Sequence, residues 1–150
     1  MLRVYLDTSA PVKLLILEVC SAELSIALAG GPTEKMLASS QISYAEARAA
    51  IARRECESTV SMAACAMARY QLEDDWPAYA VVDVTPTLVR LAAEYADAFA
   101  LRGFDDVQLA SARTVQTTVP GPLTFMAFDV RPNRAAKLLG LELPPWAPLQ

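Results

Sequence analysis

The chain opens on a short apolar run, Leu2 to Leu6, that contains Val4 and Tyr5 and stops abruptly at Asp7-Thr8-Ser9. Such a run reads as a strand. Pro11 suits the first turn of a helix, because its fixed φ is already helical, and a helix is expected over Val12 to Glu18. A second helix is expected from about Cys20 to Ala29, broken by Gly30-Gly31-Pro32. Met36 to Ile42 predicts a strand and Tyr44 to Cys56 a helix. Ser58 or Thr59 is the expected cap of a further helix reaching about Leu72, closed by Glu73-Asp74-Asp75 and Trp76-Pro77. Ala80 to Val84 predicts a strand. Thr85-Pro86 opens a helix in which Leu88, Leu91, Ala92, Tyr95 and Phe99 fall on one face, and Gly103 is its expected end. Asp105-Asp106 opens the next, over Val107 to Arg113. Leu123 to Phe128 is the last predicted strand, and Pro132 to Leu139 the last helix before Gly140. Leu141 to Gln150 carries three prolines and is expected to be extended.

Strands alternate with helices along the whole chain. This order predicts an α/β fold with a mostly parallel central sheet, covered by helices on both sides and joined by right-handed crossovers. With 150 residues, one domain spanning 1–150 is expected, including a Pro-rich tail over 141–150. In such sheets ligands bind beyond the carboxyl ends of the strands.

Composition narrows the chemistry. The apolar share of 54% suffices for one core, yet no apolar run approaches the roughly 18 residues of a membrane span. No leader pattern follows Arg3, so the cytoplasm is the expected compartment. Cys20, Cys56 and Cys65 are odd in number and match neither a CxxC nor a zinc pattern, which favours incidental thiols over a metal or redox site. The chain has no histidine. That excludes Ser-His-Asp and Cys-His catalysis, metal-free histidine nucleases and almost every zinc enzyme. What remains is carboxylates, hydroxyls, Lys, Arg or a hard cation bound through oxygen. The net charge of −4 argues against binding nucleic acid by bulk electrostatics, but not against an acidic site neutralised by cations.

Four acids fall on one edge of the predicted sheet: Asp7 after the first strand, Glu46 in the helix after the second, Asp105 at the start of a later helix, and Asp129 after the last strand. Each alone also fits a structural role. Asp7 can be an N-cap, Ser43-Tyr44-Ala45-Glu46 is a complete capping box, Asp105 and Asp106 can be cap and first-turn acids, and Asp129 can begin a turn. Their joint placement is what points to chemistry. Like charges held together raise one another's pKa unless a cation joins them, and Mg²⁺ or Mn²⁺ is the natural partner for an all-oxygen set. Such a site suits phosphodiester hydrolysis without histidine.

The motifs around these acids resemble those of PIN-domain ribonucleases, especially VapC-type toxins. L-R-V-Y-L-D-T-S-A-P-V-K-L resembles the opening block, I-S-Y-A-E-A-R-A-A-I-A-R the second, L-R-G-F-D-D-V-Q-L-A-S-A the third and F-M-A-F-D-V-R-P-N-R-A-A the fourth. The blocks occur in the family's order and frame nearly the whole chain. The resemblance implies an α/β/α (PIN-like) domain, Mg²⁺- or Mn²⁺-dependent cleavage of RNA with Asp7, Glu46, Asp105 and Asp129 as catalytic and metal-holding acids, a cognate antitoxin, and often a homodimer. Three positions depart from the pattern. Ala127 stands where Thr or Ser is usual, Asp106 stands at a usually small apolar position and competes with Asp105 as a ligand, and Gln108 stands where His is frequent. Thr8 and Ser9 are expected either to support Asp7 by hydrogen bonding or to cap a helix. Arg48, Arg53, Arg54, Arg131, Arg134 and Lys137 are candidates for contact with RNA phosphates, or lie on solvated helix faces. Trp146 either stacks a base or packs on the domain.

Other carboxylate chemistries fit less well. A haloacid-dehalogenase-like phosphatase needs D-x-D after the first strand, and Ser9 holds the third position. A receiver domain needs an acid pair near the first strand and a Lys after the last, and neither is present. The remaining alternative is a PIN-like domain that has lost activity and serves as an RNA- or protein-binding module.

Overall fold

The structure is a computed structural model that describes residues 1–17, 21–31 and 33–150. Glu18 and Cys20, expected at the end of the first helix and the start of the second, and Pro32, expected in the break, lie outside the described residues. The elements run β1 (Leu2–Leu6), α1 (Ser9–Leu15), α2 (Ser21–Ala29), β2 (Lys35–Ser40), α3 (Ile42–Cys56), α4 (Met62–Asp75), a 3₁₀ turn (Trp76–Ala78), β3 (Ala80–Val82), α5 (Pro86–Phe99), α6 (Asp105–Thr118), β4 (Thr124–Met126) and α7 (Val130–Leu138). The four strands pair in parallel in the order β3-β2-β1-β4, so the expected α/β architecture is the one observed.

Pleating divides the core. Val4 and Leu6 point to one face of the sheet, where they pack with Ala10 and Leu24 of α1 and α2. Tyr5 points to the other, against Leu109, Ala112, Phe125 and Ala135. Helices α6 and α7 therefore cover one face and α1 and α2 the other, a three-layer arrangement. A satellite core joins α1 to α3 and α4 through Val12, Ala47, Ala50 and Leu72.

The strand order places the site. Successive crossovers carry the chain from β1 to β2 to β3 in one direction, and β4 then pairs on the opposite side of β1. The helix after β1 and the helix after β4 thus leave on opposite faces, which opens a crevice at the carboxyl ends of these two strands. The outer edge of β4 is covered by the tail. The Phe125 amide donates to the Glu142 carbonyl at 2.8 Å and the Glu142 amide to the Leu123 carbonyl at 3.0 Å, which removes an open strand edge.

Several helix ends differ from expectation for identifiable reasons. Helix α4 begins two or three residues later than Thr59 or Ser58 would place it, because Ser61 is the cap and accepts from the Ala64 amide. Ser58 adopts a positive φ of 54° and belongs to the turn before it. Helix α5 ends at Phe99 and its C-cap is Ala100, in the left-handed conformation, three residues before Gly103. Helix α6 runs on to Thr118, well past Arg113.

Candidate active site

Asp7 follows β1 directly and its amide donates to the Met126 carbonyl at 3.0 Å, which fixes it at the β1–β4 crevice. Its carboxylate is buried, with 7% exposure. Ser9, the first residue of α1, turns back: its hydroxyl donates to Asp7 Oδ2 at 2.7 Å and accepts from the Phe128 amide at 3.3 Å. One side chain thereby ties the ends of β1 and β4 together. Burial pushes the Asp7 carboxyl up to about 6. The Ser9 hydrogen bonds pull in the opposite direction, and the charge of Glu46 adds to the rise.

Glu46 has lost the capping role its motif suggests. Helix α3 begins at Ile42 straight off β2, with Gln41 already helical and no side-chain cap. Ser43 lies inside the first turn, buried, and its hydroxyl accepts from Ser39 at 2.8 Å and from Gln108 Nε2 at 2.9 Å. Glu46 Oε1 is left to accept from the Thr8 hydroxyl at 2.8 Å and from Gln108 Nε2 at 3.0 Å. Thr8 therefore supports Glu46 through its hydroxyl, and it is Ser9 that supports Asp7.

Gln108 is a site residue that the periodicity of α6 did not reveal. It is buried, and Tyr5 donates to its Oε1 at 2.7 Å, which leaves Nε2 aimed at Thr8, Ser43 and Glu46. A buried amide with this many partners is a fixed strut. Its signal in the sequence was a polar residue amid Val107, Leu109 and Ala110 on a helix facing the core.

Asp105 opens α6 and its carboxyl is pushed up to about 6, by burial first and then by the charges of Asp7, Asp129, Glu46 and Asp106. Asp7, Glu46 and Asp129, from three other parts of the chain, therefore all act on Asp105. Asp7, Glu46 and Asp105 line a cleft of about 540 Å³ together with Thr8, Ser9, Lys13, Arg53 and Phe104. Asp129 is outside the cleft lining; it is exposed and is the N-cap of α7, accepting from the Arg131 amide at 3.3 Å. Asp106 is outside the cleft lining, and its Oδ1 accepts from the Val107 amide at 2.7 Å. Among the described residues, no group of three acidic or thiol side chains is already gathered tightly enough to ligate one ion.

The basic candidates separate. Arg48 points away from the cleft and pairs with Glu73 at 3.2 Å. Arg134 Nε donates to the Leu149 carbonyl at 2.9 Å and so holds the tail. Arg131 is exposed beside Asp129. Arg53, Arg54 and Lys13 are the cations that line the cleft. Lys13 Nζ lies 4.9 Å from the centroid of the Phe128 ring, and Phe128 stacks on Trp146 at 5.0 Å and 14°. Trp146 thus packs on the domain. Ala127 is fully buried and packs in the core beside Phe125 and Ala135; among the described residues, the hydroxyl that reaches Asp7 is that of Ser9.

Ribonuclease VapC45 of Mycobacterium tuberculosis (strain CDC 1551 / Oshkosh) is 38% identical to this chain over 142 residues, covering 95% of it and 94% of the relative. The chain belongs to the VapC ribonuclease family. Ribonuclease VapC49 of Mycobacterium tuberculosis (strain ATCC 25618 / H37Rv) matches to the same extent. No family model matches the chain. The VapC fold is also found in solved structures that are far more distant in sequence. VapBC2 from Rickettsia felis, bound to a DNA fragment from its promoter, superposes with a TM-score of 0.63 at 12% identity, over 97% of this chain and 99% of that one. FitAcB from Neisseria gonorrhoeae gives 0.64 at 18%, over 95% and 98%. VapC20 of Mycobacterium tuberculosis, a sarcin–ricin-loop-cleaving toxin, gives 0.61 at 22%, over 88% and 94%.

Proposed function

We propose that this VapC chain is a divalent-metal-dependent endoribonuclease and the toxin of a toxin–antitoxin pair, with Asp7, Glu46, Asp105 and Asp129 as its catalytic acids. The observation that carries the reading is the convergence of the charges of Asp7, Glu46 and Asp129 on Asp105. Two of them, Asp7 and Asp105, are pushed up to about 6. A folded protein leaves buried carboxylates in mutual repulsion only when something external offsets the cost. The donor set is all oxygen, without histidine, and so fits Mg²⁺ or Mn²⁺ by chemistry. Asp7, Glu46, Asp105 and Asp129 would hold the ion, which when bound supplies charge neutralisation and polarisation of the scissile phosphate.

The chain's own residues do the positioning. Ser9 holds Asp7, the Tyr5–Gln108–Thr8 relay holds Glu46, and α6 presents Asp105 at its first turn, where the helix dipole favours a carboxylate. Lys13, Arg53 and Arg54 set positive charge beside the acids, so an anionic backbone is drawn into the cleft of a protein whose net charge is −4. Among the described residues, no helix is long and apolar enough to cross a membrane, and cytoplasmic action on RNA is part of the proposal. A cognate antitoxin and a homodimer complete it. The exposed Met62, Met67 and Tyr70 of α4 support a protein partner.

The test is incubation of purified protein with a pool of structured RNAs in Mg²⁺, in Mn²⁺ and in chelator, beside Asp7→Asn. Metal-dependent cutting by wild type that is absent from the variant is the expected result. Equal cutting by both preparations, or none by a folded wild type against any RNA, refutes it.

A further inference from the structure

Helix α3 contributes an ordered stripe to the cleft. Glu46, Ala49, Ala50 and Arg53 follow one another at helical spacing, and all four line it. Arg53 lies two turns from Glu46, about 10 Å along the axis. Between them the two alanines leave the floor open. Arg53 is exposed and has no ion-pair partner among the described residues. The cleft therefore has an acidic end and a cationic end joined by a shallow apolar floor.

Phe104 lines the same cleft. The residue is 57% exposed and sits between Gly103, with φ of 50°, and Asp105. Its own backbone, at φ −91° and ψ 3°, lies outside the regular helical region. The backbone holds an apolar ring in water next to one of the acids instead of turning it into the core. An exposed aromatic ring in the same groove as Lys13, Arg53 and Arg54 is the arrangement that stacks an unpaired base while the cations meet the phosphates.

We propose that the cleft contains a nucleotide subsite beside the scissile phosphate, in which Phe104 stacks an unpaired base and Arg53 takes the phosphate of the neighbouring nucleotide. This inference rests on the RNA-cleaving reading and adds the part of the substrate that the acids do not contact.

The test uses the full chain and single-stranded RNA oligonucleotides carrying 2-aminopurine, whose emission changes on stacking, with affinity read by anisotropy in Mg²⁺ and in chelator. Phe104→Ala is expected to weaken binding roughly 5- to 100-fold and to abolish the emission change. Phe104→Trp is expected to retain both, while Phe104→Leu, which keeps bulk but not the π face, is not. In cleavage, the loss is expected in KM more than in kcat. Arg53→Gln is expected to weaken binding and to flatten its salt dependence. Unchanged RNA affinity in Phe104→Ala, or rescue by Leu equal to that by Trp, overturns the proposal and marks the ring as a contact for a protein partner. Absence of RNA binding by folded wild type overturns it as well. The two readings fail separately. Phe104-dependent binding without metal-dependent cutting removes the catalytic assignment and leaves the subsite. Metal-dependent cutting with KM unchanged in Phe104→Ala removes the subsite and leaves the catalytic assignment.

Discussion

Replacing Asp7 by Asn separates what the residue does for the site from what it does to the fold. The carboxyl is buried and sits at about 6 instead of 3.8. Ionised at neutral pH, it costs the folded state roughly 3 kcal/mol relative to an unperturbed acid. The sign follows from proton counting. Between about pH 4 and 6 the folded protein binds more protons than the unfolded chain, so stability falls as pH rises through that window. Asn has no charge to bury, and its amide oxygen still accepts from Ser9. In chelator at pH 7.5, Asp7→Asn is therefore expected to be more stable than wild type by up to about 3 kcal/mol, which for a domain of this size is roughly 6–12 °C in Tm. The gain is expected to shrink toward zero near pH 4. The assay is thermal unfolding by circular dichroism in chelator across pH 4–8, with RNA cleavage measured on the same samples. Stabilisation paired with loss of cutting identifies a carboxylate kept for function at the expense of the fold. A lower Tm for the variant at pH 7.5 refutes the argument, since the charge would then be satisfied within the protein.

Three further outcomes follow from the same geometry. Mn²⁺ is expected to raise the Tm of wild type at pH 7.5 by an amount set by RT ln(1 + [L]/Kd), about 2.7 kcal/mol at a hundredfold excess over Kd, and not at pH 5, where Asp7 and Asp105 are protonated; equal shifts at both pH values count against these acids as ligands. Gln108→Leu strips partners from the Tyr5 and Thr8 hydroxyls and from Glu46, and is expected to cost roughly 1–3 kcal/mol in denaturant unfolding and to slow cleavage more than Tyr5→Phe; unaltered stability would show that the amide is not a strut. Trp146→Ala removes the stack on Phe128, worth about 0.5–1.5 kcal/mol beyond area burial; because the Phe128 amide donates to Ser9, cleavage is expected to drop as well, and full activity would uncouple the tail from the site.

Asp7, Glu46 and Asp105 could be placed at one sheet edge from the sequence because α/β alternation alone dictates where strands end. What the chain did not reveal was helix rotation and start. Ser43-x-x-Glu46 satisfies the capping-box pattern, yet α3 begins a residue before Ser43 and turns that serine into the core, which frees Glu46 for the cleft. Arg48 and Arg53 look equivalent as sequence, but only Arg53 keeps the seven-residue spacing from Glu46 that returns to the same face; Arg48 emerges toward Glu73. Gln108 was visible only as a departure from the third block, and the sequence did not reveal its role as a strut between Tyr5, Thr8 and Glu46. It is legible only once Tyr5, a hundred residues away, is known to face it.

The sheet order has a consequence for how the protein is made. β1 pairs with β2 and also with β4, so the first strand waits for the last. The proposed set of acids, at positions 7, 46, 105 and 129, comes together only after β4 and Asp129 have left the ribosome. A nascent or truncated product that ends before β4 lacks Asp129, the Phe128 amide and one wall of the crevice. Such long-range pairing also folds slowly. The topology thus acts as a delay: a translating ribosome finishes the polypeptide before a competent nuclease exists beside it.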